Sequence, residues 1–114
     1  MKYIVYQTTN LVNNKIYIGV HKTENPEVFD SYIGNGIMIT SPSSYMNPTT
    51  PFQYAVKKYG ISAFRRTIIQ IFDTAEEAFK LESQIVTYDF IKRKDTYNVA
   101  LGGGGGSQAF IPIY

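Results

Sequence analysis

A single acidic residue, Glu82, interrupts an otherwise apolar helical stripe in the sequence. The members of the stripe recur at the 3.6-residue period of a helix and are Ala75, Ala78, Phe79, Ile85, Val86 and Phe90. A buried carboxylate is costly unless a cation, a hydrogen-bond network or a metal ion accompanies it. The pattern therefore leaves two interpretations of Glu82 open, a structural ion pair and a functional carboxylate.

Aromatic hydroxyls form a second group of candidates, because Tyr6 and Tyr17 fall on the two strands of a predicted hairpin. The chain has 10 tyrosines, so on this observation alone a core role is favoured for both. Gly19 fits either a strand end or a place where another backbone or a ligand must come close. His21 is the sole histidine, no nucleophile-elbow motif accompanies it, and taken alone it is typical of a surface residue.

The elements that would position these residues begin with a β-hairpin. Residues 3–8 and 15–20 are rich in β-branched and aromatic types, and the Asn-rich residues between them predict a turn. Both strands are apolar at nearly every position, which indicates that both faces are covered. Residues 21–51 predict a long irregular segment, with a short helix at Pro26–Ser31 capped by Asn25.

The second half of the chain predicts two helices around a strand. Thr50 is a suitable cap for a helix from Pro51 that Gly60 would end. A third strand is predicted from Phe64 to Phe72, and one long helix, capped by Asp73 or Thr74, that runs to about Ile91. The order predicts an α+β fold with a three-stranded antiparallel β-sheet flanked by helices.

The composition is typical of one small cytoplasmic domain. The chain has 114 residues, 44% of them hydrophobic, and no cysteine, so disulfides and thiolate metal sites are ruled out and a reducing compartment is expected. No run resembles a signal peptide or a membrane span. We expect a domain over residues 1–106 and a tail over 107–114. The glycine run at 102–106 is interpreted as flexible backbone and not as a phosphate loop.

Read in order, these motifs resemble the GIY-YIG nuclease family. The matching pieces span residue 3 to about residue 106 and are Ile4-Val5-Tyr6, Tyr17-Ile18-Gly19, Tyr54 to Gly60, Phe64, Glu82 and Tyr97-Asn98. The resemblance implies a metal-dependent endonuclease of phage or mobile-element type that hydrolyses DNA phosphodiester bonds. It assigns Glu82 to the metal ion, Mg²⁺ or Mn²⁺. Tyr6 then becomes the candidate general base or water positioner, Tyr17 assists at the phosphate, and Asn98 is a further site residue.

One departure from the family concerns an arginine that usually follows the second signature. No arginine precedes Arg65 in this chain, so we expect His21 or Lys22 to supply the missing charge or proton, with Tyr32 as a further polar candidate. If Tyr6 acts as a base, it needs a polarising neighbour, because an ordinary tyrosine titrates near pH 10.

DNA is the expected partner. The formal net charge of +2 says little by itself, and each basic pair alone is typical of solvated surface. With the resemblance, the expected DNA contacts are Gly19, Tyr32, Lys57, Lys58, Arg65 and Arg66. Two alternatives remain: an inactive DNA-binding module that kept the fold, and a protein-interaction domain that uses the Pro- and Ser-rich loop.

Overall fold

A computed structural model describes residues 1–103 of the chain. The predicted boundary between residues 106 and 107, and the predicted tail, lie outside these residues. Within them the fold is α+β, with a three-stranded antiparallel sheet and helices, as predicted. None of the helices in this part of the chain has the length and apolarity needed to cross a membrane.

The predicted opening hairpin is confirmed, and its strands are longer than expected. Strand β1 spans Lys2–Asn10 and strand β2 spans Ile16–Thr23, paired antiparallel. The turn uses the left-handed backbone that asparagine tolerates, with Asn14 at φ 63°. The side chain of Asn10 also accepts the N–H of Val12 at 3.0 Å, which stabilises the turn locally.

The segment predicted to be irregular contains a second, small sheet. Strands β3 (Tyr32–Gly34) and β4 (Ile37–Met38) pair antiparallel there, and a 3₁₀ turn follows at Pro42–Ser44. Runs of two or three residues are too short for a periodicity signal, which is why the sequence did not predict them.

The predicted helix at Pro26–Ser31 is wrong, because this stretch forms turns. The Asn25 side chain accepts the N–H of Glu27 at 3.0 Å, and the Asn25 carbonyl accepts the N–H of Val28 at 3.1 Å. The asparagine thus stabilises a local turn and does not start a helix. At the other end Ser31 has φ 75°, outside the helical region.

Helix α1 is confirmed at Pro51–Tyr59, and both of its ends follow the predicted signals. The hydroxyl of Thr50 accepts the N–H of Gln53 at 3.2 Å, and Gly60 ends the helix with φ 88°. Strand β5 is confirmed at Phe64–Phe72 and pairs with β1, so β1 lies between β2 and β5.

The long helix predicted up to Ile91 is wrong in one respect, since it is broken in two. Helix α2 spans Ala75–Ile85 and is capped by Thr74, one of the two residues predicted for that role, while helix α3 spans Tyr88–Ile91. Val86 leaves the helical region with ψ 70°, and the hydroxyl of Thr87 caps α3 by accepting the N–H of Phe90 at 3.2 Å. The apolar residues keep a helical spacing through this stretch, but the cap at Thr87 starts a new helix there.

Two apolar clusters cover the two faces of the sheet, as the continuously apolar hairpin strands predicted. The first lies between the sheet, α1 and the β3–β4 segment, and includes Ile33, Ile37, Phe52, Val56, Phe64 and Tyr97. The second lies between the sheet and helices α2 and α3, and includes Val5, Ile18, Ala78, Val86 and Phe90. Both faces of the hairpin are thus fixed by packing.

Candidate functional site

An open cavity of about 480 Å³ lies beside strand β2. The hairpin, strand β3, helix α2 and the segment after α3 all contribute to its wall. The predicted site residues that line it are Tyr6, Tyr17, Gly19, Tyr32, Glu82 and Asn98. The fold thus brings together residues that are up to 92 positions apart in the chain (98 − 6).

Two glycines make room for the hydroxyl of Tyr6. A Cβ atom on Gly19 would lie 2.5 Å from the Tyr6 hydroxyl oxygen, and one on Gly34 would lie 2.9 Å from the same oxygen. Gly19 is the residue opposite Tyr6 in the β1–β2 register. A contact between a Cβ atom at position 19 and the Tyr6 hydroxyl could therefore be relieved only by moving strands β1 and β2 relative to each other. Gly19 lies inside β2 and does not mark its end, and the group that comes close to it is the Tyr6 side chain, not the backbone or ligand that was predicted.

Three tyrosine rings meet at this point. The ring centroid of Tyr6 lies 6.4 Å from that of Tyr17 and 6.2 Å from that of Tyr32, the latter in an edge-to-face arrangement. Burial raises the pKa of the Tyr6 hydroxyl well above its ordinary value, and Tyr17 and Tyr32 raise it further. Burial also raises the pKa of Tyr17, with smaller contributions from Tyr32 and Glu82. Both hydroxyls are therefore neutral hydrogen-bonding groups in the free protein.

The carboxylate of Glu82 faces these hydroxyls across the cavity. Its Oε1 atom accepts the N–H of Gly103 at 2.9 Å, and within residues 1–103 no basic side chain forms an ion pair with it. Burial raises the pKa of Glu82, and the hydrogen bond from Gly103 opposes this shift. The charge of Glu82 also raises the pKa of Tyr6 and of Tyr17, so the three groups are electrostatically coupled. Of the two interpretations of Glu82, the structural ion pair does not hold in the part of the chain described.

A metal ion at this cavity would have Glu82 as its protein ligand. No group of three or more His, Cys, Asp or Glu side chains suited to a metal occurs in residues 1–103. A single carboxylate nonetheless suits Mg²⁺, which keeps several waters and is often bound through one or two carboxylates and the phosphate oxygens of its substrate. The other carboxylate oxygen of Glu82, Oε2, accepts no hydrogen bond from residues 1–103.

Asn98 lines the cavity, but its amide is used by the backbone of β2. The Asn98 Oδ1 atom accepts the N–H of Ile18 at 2.9 Å, and its Nδ2 atom donates to the Ile18 carbonyl at 2.8 Å. The hydroxyl of Thr96 donates to the same Oδ1 at 3.0 Å. Through these hydrogen bonds Asn98 positions β2, which is a different role from contact with a substrate.

The two residues expected to replace the family arginine lie elsewhere. His21 stacks on the ring of Tyr32, with centroids 4.2 Å apart, and its Nε2 atom lies 2.6 Å from Asp30 Oδ2. Lys22 follows His21 on β2, so its side chain points to the opposite face of the sheet, where it lines a separate depression with Glu24. Neither contributes to the pKa of Tyr6. The expected polarisation of Tyr6 by these residues is absent.

The predicted DNA contacts divide into exposed and buried side chains. Lys57 and Lys58 are exposed in the last turn of α1, and Arg65 is exposed on β5. The side chain of Arg66 is only 3% exposed, and it donates to Asp30 Oδ1 at 3.0 Å and to the Tyr32 carbonyl at 2.9 Å. A guanidinium used in this way does not suit the phosphate contact that was predicted for it.

Two residues with evident roles were not identified from the sequence. Asp30 lies between Arg66 and His21, and nothing in the irregular composition around it singled it out. Tyr97 had been noted only as the neighbour of Asn98. Its hydroxyl accepts hydrogen bonds from Asn10 at 3.1 Å and Asn13 at 3.2 Å, and so ties the last described segment to the hairpin turn.

Proteins of Enterobacteria phage T4 are similar to this chain. It is 41% identical over 105 residues to the protein named "Putative endonuclease segD", an alignment covering 92% of the chain and 40% of that relative. It is 43% identical over 106 residues to "Putative endonuclease segE", covering 93% and 44% respectively. It is 36% identical over 103 residues to "Endonuclease segA", covering 90% and 40%. No protein-family model and no solved structure match the chain. The chain therefore spans less than half the length of these phage relatives.

Proposed function

We propose that this chain is a metal-dependent endonuclease domain of the GIY-YIG type, which hydrolyses DNA phosphodiester bonds. The observation that carries the proposal is the meeting of Glu82 with Tyr6 and Tyr17 in one open cavity, where their charges are coupled. The names of the phage relatives, which call those proteins endonucleases, support the same activity.

Glu82 would hold Mg²⁺ or Mn²⁺, which when bound supplies charge neutralisation at the phosphoryl oxygens and stabilises the departing oxygen. The hydrogen bond from Gly103 to one carboxylate oxygen fixes the orientation of the other. Partial burial of the carboxylate keeps its field strong at the cavity, because less water screens it.

Tyr6 and Tyr17 supply neutral hydroxyls at fixed positions. Because burial raises the pKa of the Tyr6 hydroxyl, Tyr6 in the free protein orients a water molecule and does not take its proton. Tyr17 donates to a phosphoryl oxygen of the bound strand. Its ring is stacked on Phe52 with centroids 4.7 Å apart, which restricts its motion.

Phosphate contacts that hold the DNA come from the exposed basic residues, Lys57, Lys58 and Arg65. Such contacts supply affinity and orientation without choice of sequence. Gly19 and Tyr32 contact the bound strand at the cavity.

The test is a plasmid-nicking assay with Mg²⁺ on the wild type and on Glu82→Gln, repeated with EDTA. We expect Glu82→Gln to lower the rate by about 100-fold or more, because charge stabilisation at the reacting phosphate is lost. DNA affinity measured in EDTA should be retained. The matched control is Glu76→Gln, the same change on the exposed face of α2, which should cut like the wild type.

Stability provides an independent check of the Glu82 environment. A carboxyl group whose pKa is raised by folding stabilises the protein below its unfolded pKa, and this contribution is lost as pH rises through the folded pKa. The wild type should therefore lose stability relative to Glu82→Gln as the pH rises from about 4 toward neutrality. Unfolding of Glu82→Gln at neutral pH would instead identify Glu82 as a structural residue and contradict the site.

A second candidate function is a DNA-binding module without catalysis. It is favoured by the fact that none of the described residues lining the cavity is basic, so no protein cation faces the reacting phosphate there. Salt-dependent DNA binding by a wild type that does not nick with either metal would support it. Absence of DNA affinity even at low salt would favour the protein-interaction alternative.

A further inference from the structure

A partly buried array lies behind the cavity and is made of Arg66, Asp30 and His21. One carboxylate serves both basic side chains: Arg66 donates to Asp30 Oδ1 at 3.0 Å, and His21 Nε2 lies 2.6 Å from Asp30 Oδ2. The side chain of Arg66 is 3% exposed, that of His21 19% and that of Asp30 33%. Ion pairs withdrawn from water in this way hold their geometry more firmly than exposed ones, since removing one partner leaves a buried charge.

Every member of the array also contacts Tyr32. The Tyr32 N–H donates to Asp30 Oδ1 at 3.2 Å, and the Tyr32 carbonyl accepts from Arg66 at 2.9 Å. The imidazole of His21 stacks on the Tyr32 ring with an interplanar angle of 13°. Backbone and ring of the same residue are therefore held by three side chains from three separate segments.

The backbone next to Tyr32 needs this support. Ser31, immediately before it, has φ 75°, a conformation that costs a residue with a Cβ about 1 kcal/mol or more. Such a conformation persists when surrounding contacts determine it, and the bonds from Asp30 and Arg66 both hold the backbone of the next residue, Tyr32.

Tyr32 in turn borders the reacting groups of the cavity. Its hydroxyl accepts the N–H of Gly36 at 3.1 Å, and its ring packs edge-to-face on Tyr6. Burial raises the pKa of the Tyr6 hydroxyl, and Tyr32 is among the neighbours that raise it further. Tyr32 thus connects the array to Tyr6, the residue proposed above to orient the attacking water.

Asp30 supplies the negative charge of the array. Burial alone raises the pKa of Asp30, but the bonds from His21 and Tyr32 and the charges of His21 and Arg66 outweigh it and hold the pKa below its ordinary value. Asp30 is therefore ionised at neutral pH and balances the charge of Arg66.

We propose that Arg66, Asp30 and His21 are positioning residues that fix Tyr32 against Tyr6 in the cavity. The role in cleavage rests on the proposed nuclease function. The position of Tyr32 does not, and it can be measured separately.

The first measurement is nuclear magnetic resonance of the imidazole. Since His21 is the sole histidine, its ring signals are unique in the spectrum. We expect cross-peaks between the His21 and Tyr32 rings in the wild type and their loss or marked weakening in Asp30→Asn. Asp73→Asn is the matched control, because Asp73 pairs with Lys2 at an exposed position, and it should leave the cross-peaks unchanged.

The second measurement is single-turnover cleavage by His21→Phe, His21→Ala and Asp30→Asn across neutral pH. Phe preserves a stacked ring but cannot bond to Asp30. We expect all three to slow cleavage by on the order of 10- to 100-fold, the effect of displacing a reacting group by about 1 Å. DNA affinity in EDTA should change by less than about twofold.

The outcomes separate the array from the nuclease function. If His21→Phe and Asp30→Asn cut like the wild type while only His21→Ala is slow, stacking alone positions Tyr32 and the ionic array is overturned. Persistence of the cross-peaks in a folded Asp30→Asn overturns it as well. If the wild type cuts no DNA but the cross-peaks respond to Asp30→Asn, the positioning stands and the nuclease proposal fails. His21→Phe retains Asp30 and Arg66, so it tests the array even if Asp30→Asn does not fold.

Discussion

The two outer edges of the three-stranded sheet differ in what covers them. Along β2, the chain after α3 runs beside the strand: the Ile16 N–H donates to the Asp95 carbonyl at 2.9 Å, and the Ile16 carbonyl accepts from Tyr97 at 2.8 Å. The amide of Asn98 then pairs with both backbone groups of Ile18. Along β5, no strand within residues 1–103 pairs with the outer edge. That edge instead exposes three isoleucines, Ile68, Ile69 and Ile71.

The geometry of the cavity is fixed at the covered edge of the sheet. The cavity borders the covered edge, and the segment that covers β2 also contributes residues to the cavity wall. A strand whose outer backbone groups are paired resists local opening, because opening would break ladder bonds on both sides. The edge without a partner strand carries none of the residues that line the cavity, and β5 contributes to the site only through Arg66, which bonds to Asp30 and to the Tyr32 carbonyl.

The largest effect is expected from uncovering the β2 edge with Asn98→Ala. This change removes three side-chain hydrogen bonds and leaves the buried N–H and carbonyl of Ile18 without their partner, so we expect a loss of about 2–4 kcal/mol in the free energy of unfolding. The measurement is urea denaturation followed by circular dichroism. Asn98→Asp keeps the acceptor but places a carboxylate oxygen against the Ile18 carbonyl, so at neutral pH it should destabilise at least as much as Asn98→Ala. A loss below that of an ordinary surface change would contradict the structural role of this amide.

An intermediate effect is expected from Gly19→Ala, on the cavity side of the same edge. The added Cβ would lie 2.5 Å from the Tyr6 hydroxyl oxygen and 2.7 Å from Cζ, so we expect destabilisation of about 1–3 kcal/mol and a displaced Tyr6 ring. Combining it with Tyr6→Phe removes the closer of these contacts. A double-mutant cycle should therefore report coupling between the two sites. Strictly additive effects would show that the strands shift to accommodate the methyl group.

The sequence predicted best the features that depend on nearby residues. The caps of α1, the bounds of β5 and the opening hairpin follow from signals within a few positions, such as Thr50 before Pro51 and Gly60 after Tyr59. Glu82 was also identified locally, because a carboxylate in an apolar stripe is conspicuous whatever the fold.

Features that depend on distant contacts were missed. The bond between Arg66 and Asp30 joins residues 36 positions apart, and neither residue type nor spacing marks it. Arg66 was accordingly assigned to DNA along with its exposed neighbour Arg65. The break after α2 was missed for a similar reason: the Val86 carbonyl accepts the N–H of Gly102 at 3.0 Å, a contact that only the folded chain supplies.

The smallest effect is expected at the edge of the sheet that lacks a partner strand, from the double change Ile69→Thr with Ile71→Thr. These side chains are 43% and 44% exposed, and threonine keeps the β-branched shape that strands favour, so only apolar surface is removed. We expect the free energy of unfolding to change by less than about 1 kcal/mol and cleavage to match the wild type. Sedimentation at high protein concentration should show equal or weaker self-association, since long apolar edges promote pairing between chains. A destabilisation as large as that of Asn98→Ala would mean that the β5 edge is covered after all, and the contrast between the two edges would then disappear.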